Sequence, residues 1–423
     1  MLDSRLRRPA RRRLLAGSVL LLALAQTGTY AAPDLASFSD ASPTEIAIQF
    51  GAWQARFREQ ALAAGIRPAF FDRVFSGISP DPAVVRADRS QPEFSKPIWD
   101  YLDGVTAPAR VRRGQQLLAI HSNTLTQLEQ RYGVPRHILV AVWGMESNFG
   151  SNMGDNNVIR ALATLAFEGR RPQFASEQLL AALQILQQGD VTPERMLGSW
   201  AGAMGQTQFI PSTYQQHAVD FDGDGRRDIW TSSADALAST ANYLKSSGWQ
   251  RGQQWGIEVN LPPTFDYALA DMDLRKSVAE WRALGIRPIG ALYGSAADAQ
   301  SASLLLPAGY RGPAFLVFDN FRSILRYNNS AAYAMGVSLL AAQFYGGGQI
   351  MARWPRDEVM LTRTERIEMQ QLLLNLGLYS GEMDGIIGTN TKRAIRSSQQ
   401  QLNLPADGYP TKRLLERLRT LTL

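Results

Sequence analysis

The 423-residue sequence has no cysteine and only three histidines. The first absence excludes disulfides, thiolate metal sites, a cysteine nucleophile and a lipid-bearing cysteine near the amino terminus. The histidines, His121, His137 and His217, are scattered. They suggest surface or core positions, so no catalytic metal or other catalytic cofactor is expected. Charge of one sign is also scarce once the amino terminus is set aside. The formal charge is +6, but the first thirteen residues carry six arginines and Asp3, leaving a nearly neutral remainder. Without a long basic stripe there is no electrostatic footprint for nucleic acid. Long apolar runs are missing as well. The stretch Leu14 to Ala25 falls short of the about 20 residues that a membrane span needs. It follows the arginines and precedes Thr29-Tyr30-Ala31, with small residues three and one before a cut. Residues 1–31 therefore read as a secretory signal peptide, with an uncleaved anchor as the alternative. The expected product is a soluble periplasmic protein, not a lipoprotein. The paired arginines leave both the general and the twin-arginine export routes open.

The length predicts two or three domains. Residues 33 to about 115 have helical texture, and a start signal stands at Ser42, Pro43 and Glu45: cap, first-turn proline and capping-box acid. Residues 116 to 250 are also mainly helical. "RGQQLLAIHSNTLTQLEQRYG" and "SEQLLAALQILQQG" each end in glycine, as helices often do. Between about 254 and 320, "WGIEVNLPPTF" and "GPAFLVFDNF" alternate and favour strands. Helical pattern returns before "GGGQIMARWPRDE", which reads as a linker over 351–361. A compact unit follows over 362–423.

Within "AVWGMESNFG", Glu146 is the one charged residue and closes an apolar helical run from Ile138. Burial disfavours the charged form and raises a carboxyl pKa. A carboxyl protonated near neutral pH can hand a proton to a leaving oxygen, which glycosidic cleavage requires. In isolation such a glutamate is more often a capping or solvated residue. A second window, "SWAGAMGQTQFIPSTYQQHA", is uncharged and rich in small residues. Glycine and alanine let a backbone approach a ligand, and Gln206, Gln208, Ser212, Thr213 and Tyr214 offer neutral groups suited to a sugar. A tightly packed helix pair turning at Pro211 is the bland alternative.

The ordered motifs "ESNFG", "SWAGAMGQTQFIPSTY", "DFDGDGRRDIW", "ANYLKSSGW" and "RYNNSAAYAM" closely resemble the lytic murein transglycosylase B family, over roughly residues 40 to 350. The resemblance implies a mainly α protein with a lysozyme-like helical catalytic domain (33–350) and a small β-containing insertion. It implies non-hydrolytic cleavage of the MurNAc–GlcNAc β-1,4 bond of peptidoglycan glycan strands, giving 1,6-anhydro ends. Glu146 would be the sole catalytic acid/base, with no second carboxylate nucleophile. Ser199, Gln208, Tyr243, Asn328 and Tyr333 would bind substrate. A non-catalytic wall-binding scaffold and a muramidase-type hydrolase are the alternatives. A monomer is expected, with other cell-wall enzymes as candidate partners.

"DFDGDGRRDIW" meets the first six positions of a calcium-loop template, with Asp220, Asp222, Asp224 and Gly225. A carbonyl from about Arg226, and Asp228 directly or through water, would add oxygens. The twelfth position is Thr231, not glutamate, so the template is not completed. The family resemblance implies Asp235 as closing ligand, at an interval one residue longer than the family's. A structural Ca2+ is expected; a solvated Asx-turn loop is the alternative. Finally, residues 362 to 420 resemble the three-helix peptidoglycan-binding domain. The matching positions include Gln370, Asp384-Gly385, Thr391, Gln399, Asp407-Gly408 and Thr411, with the Asp-Gly pair repeated.

Overall fold

A computed structural model describes residues 42–89, 96–291 and 297–421. The expected signal segment 1–31 lies outside the described residues. Among them, no helix is long and apolar enough to cross a membrane.

Among the described residues the architecture is mainly helical, with a five-stranded sheet and a two-stranded pairing of Asn156–Asn157 with Leu197–Gly198. Helix Pro43–Ala63 starts as its sequence dictates: Ser42 and Glu45 form the capping box and Pro43 occupies the first turn. The expected glycine stops are present, with Gly133 and Gly189 left-handed after helices Ser122–Tyr132 and Pro172–Gln188. The pattern over 114–133 is not one helix, however. It breaks at His121 into Pro108–Ile120 and Ser122–Tyr132.

Helix Arg136–Ser147 is apolar on every side, and residues Ile138 to Gly144 are all buried. A helix of that kind must sit inside a shell of others. Here the shell is built from Ile98–Val105, Pro108–Ile120, Ser122–Tyr132, Ser233–Ser246 and Ala331–Gln343. A second core joins the amino-terminal helices to Val158–Glu168, Pro172–Gln188 and Pro211–His217. Between the two cores run the loops that build the site.

The strand-like region forms a five-stranded antiparallel sheet in the spatial order Lys276–Ser277, Ser301–Leu305, Ala314–Val317, Gly256–Asn260, Arg287–Pro288. Its own core centres on Trp281, Leu316 and Phe318. The last unit has helices Arg363–Asn375, Thr389–Gln401 and Lys412–Leu421 around Met369, Leu373, Ile395 and Leu415.

Residues 351–361, which read as a linker, are held at several points. The buried Glu258 carboxylate, on strand Gly256–Asn260, accepts the backbone N–H groups of Met351 (2.8 Å) and Ala352 (2.7 Å). Arg356 pairs with Asp103 (2.8 Å) and Trp354 lies 6.2 Å from Trp99, both on helix Ile98–Val105. Arg311 pairs with Asp357 (2.6 Å) and Glu358 (3.0 Å).

The end of helix Arg136–Ser147 is strained. Asn148 (φ 48°), Phe149 (φ 60°) and Gly150 (φ 81°) are consecutively left-handed. For non-glycine residues this costs about 1–2 kcal/mol each. The reversal drives the Phe149 ring back over the helix, edge-on to Trp143 at 6.0 Å. A Cβ at Gly144 would lie 2.6 Å from that ring. Glycine to alanine inside a helix ordinarily stabilises by about 1 kcal/mol. Gly144→Ala should instead destabilise, by about 1–3 kcal/mol as overpacking does. Urea denaturation of Gly144→Ala, alone and combined with Phe149→Ala, checks this: the penalty should vanish in the double variant.

Candidate active site

Glu146 is the penultimate residue of helix Arg136–Ser147 and is half-buried. Its Oε1 accepts the hydroxyl proton of Tyr333. Burial pushes its pKa up to about 7, and the Tyr333 hydrogen bond works in the opposite direction. Three tyrosines from three separate helices surround the acid. Tyr333 stands in the first turn of Ala331–Gln343, where Ser330 caps its backbone N–H (3.3 Å). Tyr327 ends helix Asp319–Tyr327, and its hydroxyl donates to the Thr207 carbonyl (2.7 Å). Tyr101 comes from Ile98–Val105. Burial raises the pKa of all three, with the Glu146 carboxylate adding to the effect; Tyr101 is pushed up to about 12. They remain neutral, so Glu146 is the charged group among them.

The small-residue window is tied directly to the acid's helix. Ser147 Oγ donates to the Gln206 carbonyl (2.8 Å) and accepts the Gly150 N–H (3.0 Å). Gln206, 5% exposed, accepts from the Trp143 indole (2.9 Å) and donates to the Trp230 carbonyl (3.2 Å). Its backbone N–H reaches the Ile229 carbonyl (2.9 Å). One buried amide thus fixes helix Arg136–Ser147, the strained turn after it and the segment that follows the acidic loop.

The other expected substrate residues are placed as follows. Gln208 is half-buried and left-handed (φ 50°); its Nε2 holds the carbonyls of Gly205 (2.8 Å) and Met153 (2.9 Å). Among the described residues its Oε1 accepts nothing. Ser199 organises the preceding turn, its Oγ accepting the N–H groups of Ala201 (3.3 Å) and Ala203 (3.1 Å). Tyr243 is buried behind Tyr327, ring centroids 4.9 Å apart, with its hydroxyl on the Arg326 carbonyl. In that position it supports Tyr327 rather than offering an open face. Asn328 is exposed, and its backbone makes the bend between the two tyrosine-bearing helices. Tyr327 was legible beside it in "RYNNSAAY". Tyr101 had no local signal, because only packing brings its helix to Glu146.

The acidic loop gathers Asp220, Asp222 and Asp235, whose oxygens lie within 4.8 Å of one another. Asp235 is fully buried, accepting the N–H groups of Phe221 (2.8 Å), Asp222 (3.3 Å) and Asp228 (2.8 Å). Burial raises its pKa despite those bonds. Three converging carboxylates repel one another, and a hard cation that takes oxygen ligands fits them. Two of the expected carboxylate ligands are not in this group. Asp224 turns away to the Arg226 guanidinium (2.8 Å) and backbone N–H (2.9 Å). Asp228 accepts the N–H groups of Trp230 (2.9 Å) and Thr231 (2.8 Å), and the Thr231 hydroxyl. The Arg226 side chain is committed to Asp224.

The chain matches the family described as "Transglycosylase SLT domain" over residues 49–342, and a peptidoglycan binding domain over residues 362–418. It is 37% identical over 237 residues to membrane-bound lytic murein transglycosylase B of Escherichia coli (strain K12). That match covers 54% of this chain and 62% of the relative, less than two thirds of its length. SltB3 from Pseudomonas aeruginosa, solved in complex with NAG-anhNAM-pentapeptide, is 60% identical, with a TM-score of 0.85 over 88% of this chain and 99% of that one. The Escherichia coli lytic transglycosylase Slt35 in complex with calcium is 31% identical, with a TM-score of 0.61 over 69% and 92%. By fold, by the order of its motifs and by the span of the match, the chain belongs to the transglycosylase SLT domain family and carries a peptidoglycan-binding domain behind it.

Proposed function

We propose that this chain is a lytic transglycosylase that cuts the MurNAc–GlcNAc β-1,4 bond of peptidoglycan without adding water. The observation that carries the reading is the lone Glu146 carboxyl. It is half-buried, burial pushes its pKa up to about 7, and its hydrogen-bond partner is the Tyr333 hydroxyl. Protonated Glu146 delivers its proton to the bridging oxygen as the C1–O bond breaks. The carboxylate so formed takes the proton of the C6 hydroxyl, whose oxygen bonds to C1 and closes the 1,6-anhydro ring. The acid ends as it began, and no water enters. Two-carboxylate glycosidases instead keep a partner roughly 5–9.5 Å away. The acid's tuned environment disfavours a non-catalytic scaffold. The anhydro sugar in the SltB3 complex supports the same reading.

The proposal extends to the whole chain: export by residues 1–31 to a periplasm, catalysis by 33–350, a linker at 351–361 and wall binding by 362–423. The protein acts as a monomer on glycan strands. Asp220, Asp222 and Asp235 hold a structural calcium, which would neutralise the three carboxylates and stiffen the loop. The calcium in the Slt35 complex supports this assignment.

Glu146→Gln should lower the release of anhydro-ended muropeptides from purified sacculi by at least about a hundredfold, the scale of a lost general acid. Mass analysis reads this directly; parental release would overturn the role of Glu146, and reducing-end products in the wild type would overturn the anhydro chemistry. Because the acid must be protonated, kcat/KM should fall tenfold per pH unit above about pH 7. The Tyr333 hydroxyl favours the charged form, so Tyr333→Phe should move that basic limb to higher pH; pH–rate profiles of both proteins decide it. After chelation, added calcium should raise the Tm by an increment that grows with the logarithm of its concentration. Calorimetry of wild type beside Asp220→Asn, which should lack the increment, tests the site.

A further inference from the structure

The carboxy-terminal unit contains one hydrogen-bonded clamp built twice. In the first copy, the fully buried Gln370 accepts the Gly385 N–H (2.8 Å) and donates to Asp384 Oδ1 (3.1 Å). The same oxygen accepts the Ile386 N–H (2.8 Å). In the second, Gln399 accepts the Gly408 N–H (2.8 Å) and donates to Asp407 Oδ1 (2.7 Å), which accepts the Tyr409 N–H (2.9 Å). Both glycines are left-handed, at φ 78° and 72°. Each turn therefore locks one carboxylate oxygen inside and leaves Oδ2 outside.

The second Oδ2 is occupied. It accepts the Tyr310 N–H (2.8 Å) from the extended segment Pro307–Tyr310 of the β-containing insertion. The residue before that donor, Gly309, has φ 68°. An L-type Cβ there would lie 2.6 Å from Asp407 Oδ2 and 2.9 Å from Tyr409 Cβ. The turn thus grips an extended backbone at the N–H that follows a left-handed residue without an L side chain. The first copy has no such occupant: among the described residues, Asp384 Oδ2 accepts no hydrogen bond. The flanking Met383 and Ile386 are 42% and 40% exposed, whereas Ala406, the counterpart of Met383, is 8% exposed.

Left-handed backbone is strained for L-residues and relaxed for their mirror images. D-amino acids therefore fit the position that Gly309 fills. We propose that the Asp384-Gly385 turn binds the D-residue-bearing stem peptide of peptidoglycan, with Asp384 Oδ2 accepting the N–H that follows a D-residue and Ile386 flooring the contact. The site rests on the wall-binding reading of this unit and says which part of the wall it holds.

The test uses the full chain carrying Glu146→Gln, so that nothing is turned over. Its ligands are a synthetic stem pentapeptide ending in D-Ala-D-Ala, the all-L pentapeptide, and purified sacculi. Asp384→Asn keeps an oxygen for the clamp and replaces the outer acceptor with an NH2 donor. Titration should show the D-containing pentapeptide bound about tenfold more weakly by Asp384→Asn, the scale of one hydrogen bond to a charged group. The Tm should be unchanged and the all-L peptide should bind poorly throughout. Ile386→Glu, whose side chain lies outside the clamp, should weaken binding in parallel and covers the case in which Asp384→Asn lowers the Tm. Equal affinity of parent and both variants, no affinity of the parent for the pentapeptide, or preference for the all-L peptide overturns the site. Failure of the parent to sediment with sacculi would overturn the wall-binding reading as well, whereas retained sedimentation with unchanged peptide binding overturns the site alone.

Discussion

Removal of water from one carboxyl group is the constraint on which the rest of this structure depends. Burial lifts Glu146 from an ordinary carboxyl pKa of 4.5 to about 7. Such a shift corresponds to on the order of 3 kcal/mol between the two protonation states. Because the folded pKa lies above the unfolded one, that free energy is withdrawn from stability as pH rises between the two values. The shell of five helices around Arg136–Ser147 bears the cost. A single hydroxyl from Tyr333 moderates the shift, so the group can both release and recover a proton near neutrality.

Position is secured separately from pKa. Three successive left-handed residues end the helix that carries Glu146, and two of them are not glycine. The turn is held by the Ser147 hydroxyl, by the Phe149 ring lying over Gly144, and by Gln206 beneath. Gln206 also grips the Ile229–Trp230 backbone, which directly follows the acidic loop. Order in that loop therefore has a short covalent and hydrogen-bonded route to the acid's own turn.

Much of this was legible in the sequence, where the cause was local. The capping box at Ser42, the glycine stops at Gly133 and Gly189 and the charge-free run ahead of Glu146 are all short-range signals, and the structure carries each one. The family resemblance brought in Tyr333, which meets Glu146 directly. What escaped depends on packing. The break at His121 is invisible to a periodicity that stays helical on both sides. Tyr101 reaches the site from a helix with no motif. Asp224 follows the loop template by spacing, yet Arg226, two residues on, takes its carboxylate. Tyr243 packs against Tyr327 with its hydroxyl on the Arg326 carbonyl, contacts that come from distant parts of the chain. The segment after Gly348 has the composition of a flexible tether, but Glu258, far away in sequence, captures its amides.

That capture changes how the two ends of the molecule cooperate. A floppy tether would let the cleft sweep a volume around an anchored unit and meet any bond within reach. Met351, Ala352 and Arg356 are instead fastened to the body that carries Glu146, so the carboxy-terminal unit follows a braced segment. If that unit grips a glycan strand as proposed, the brace would make the molecule a caliper: gripping at one place would select, by phase, which linkages further along come under attack.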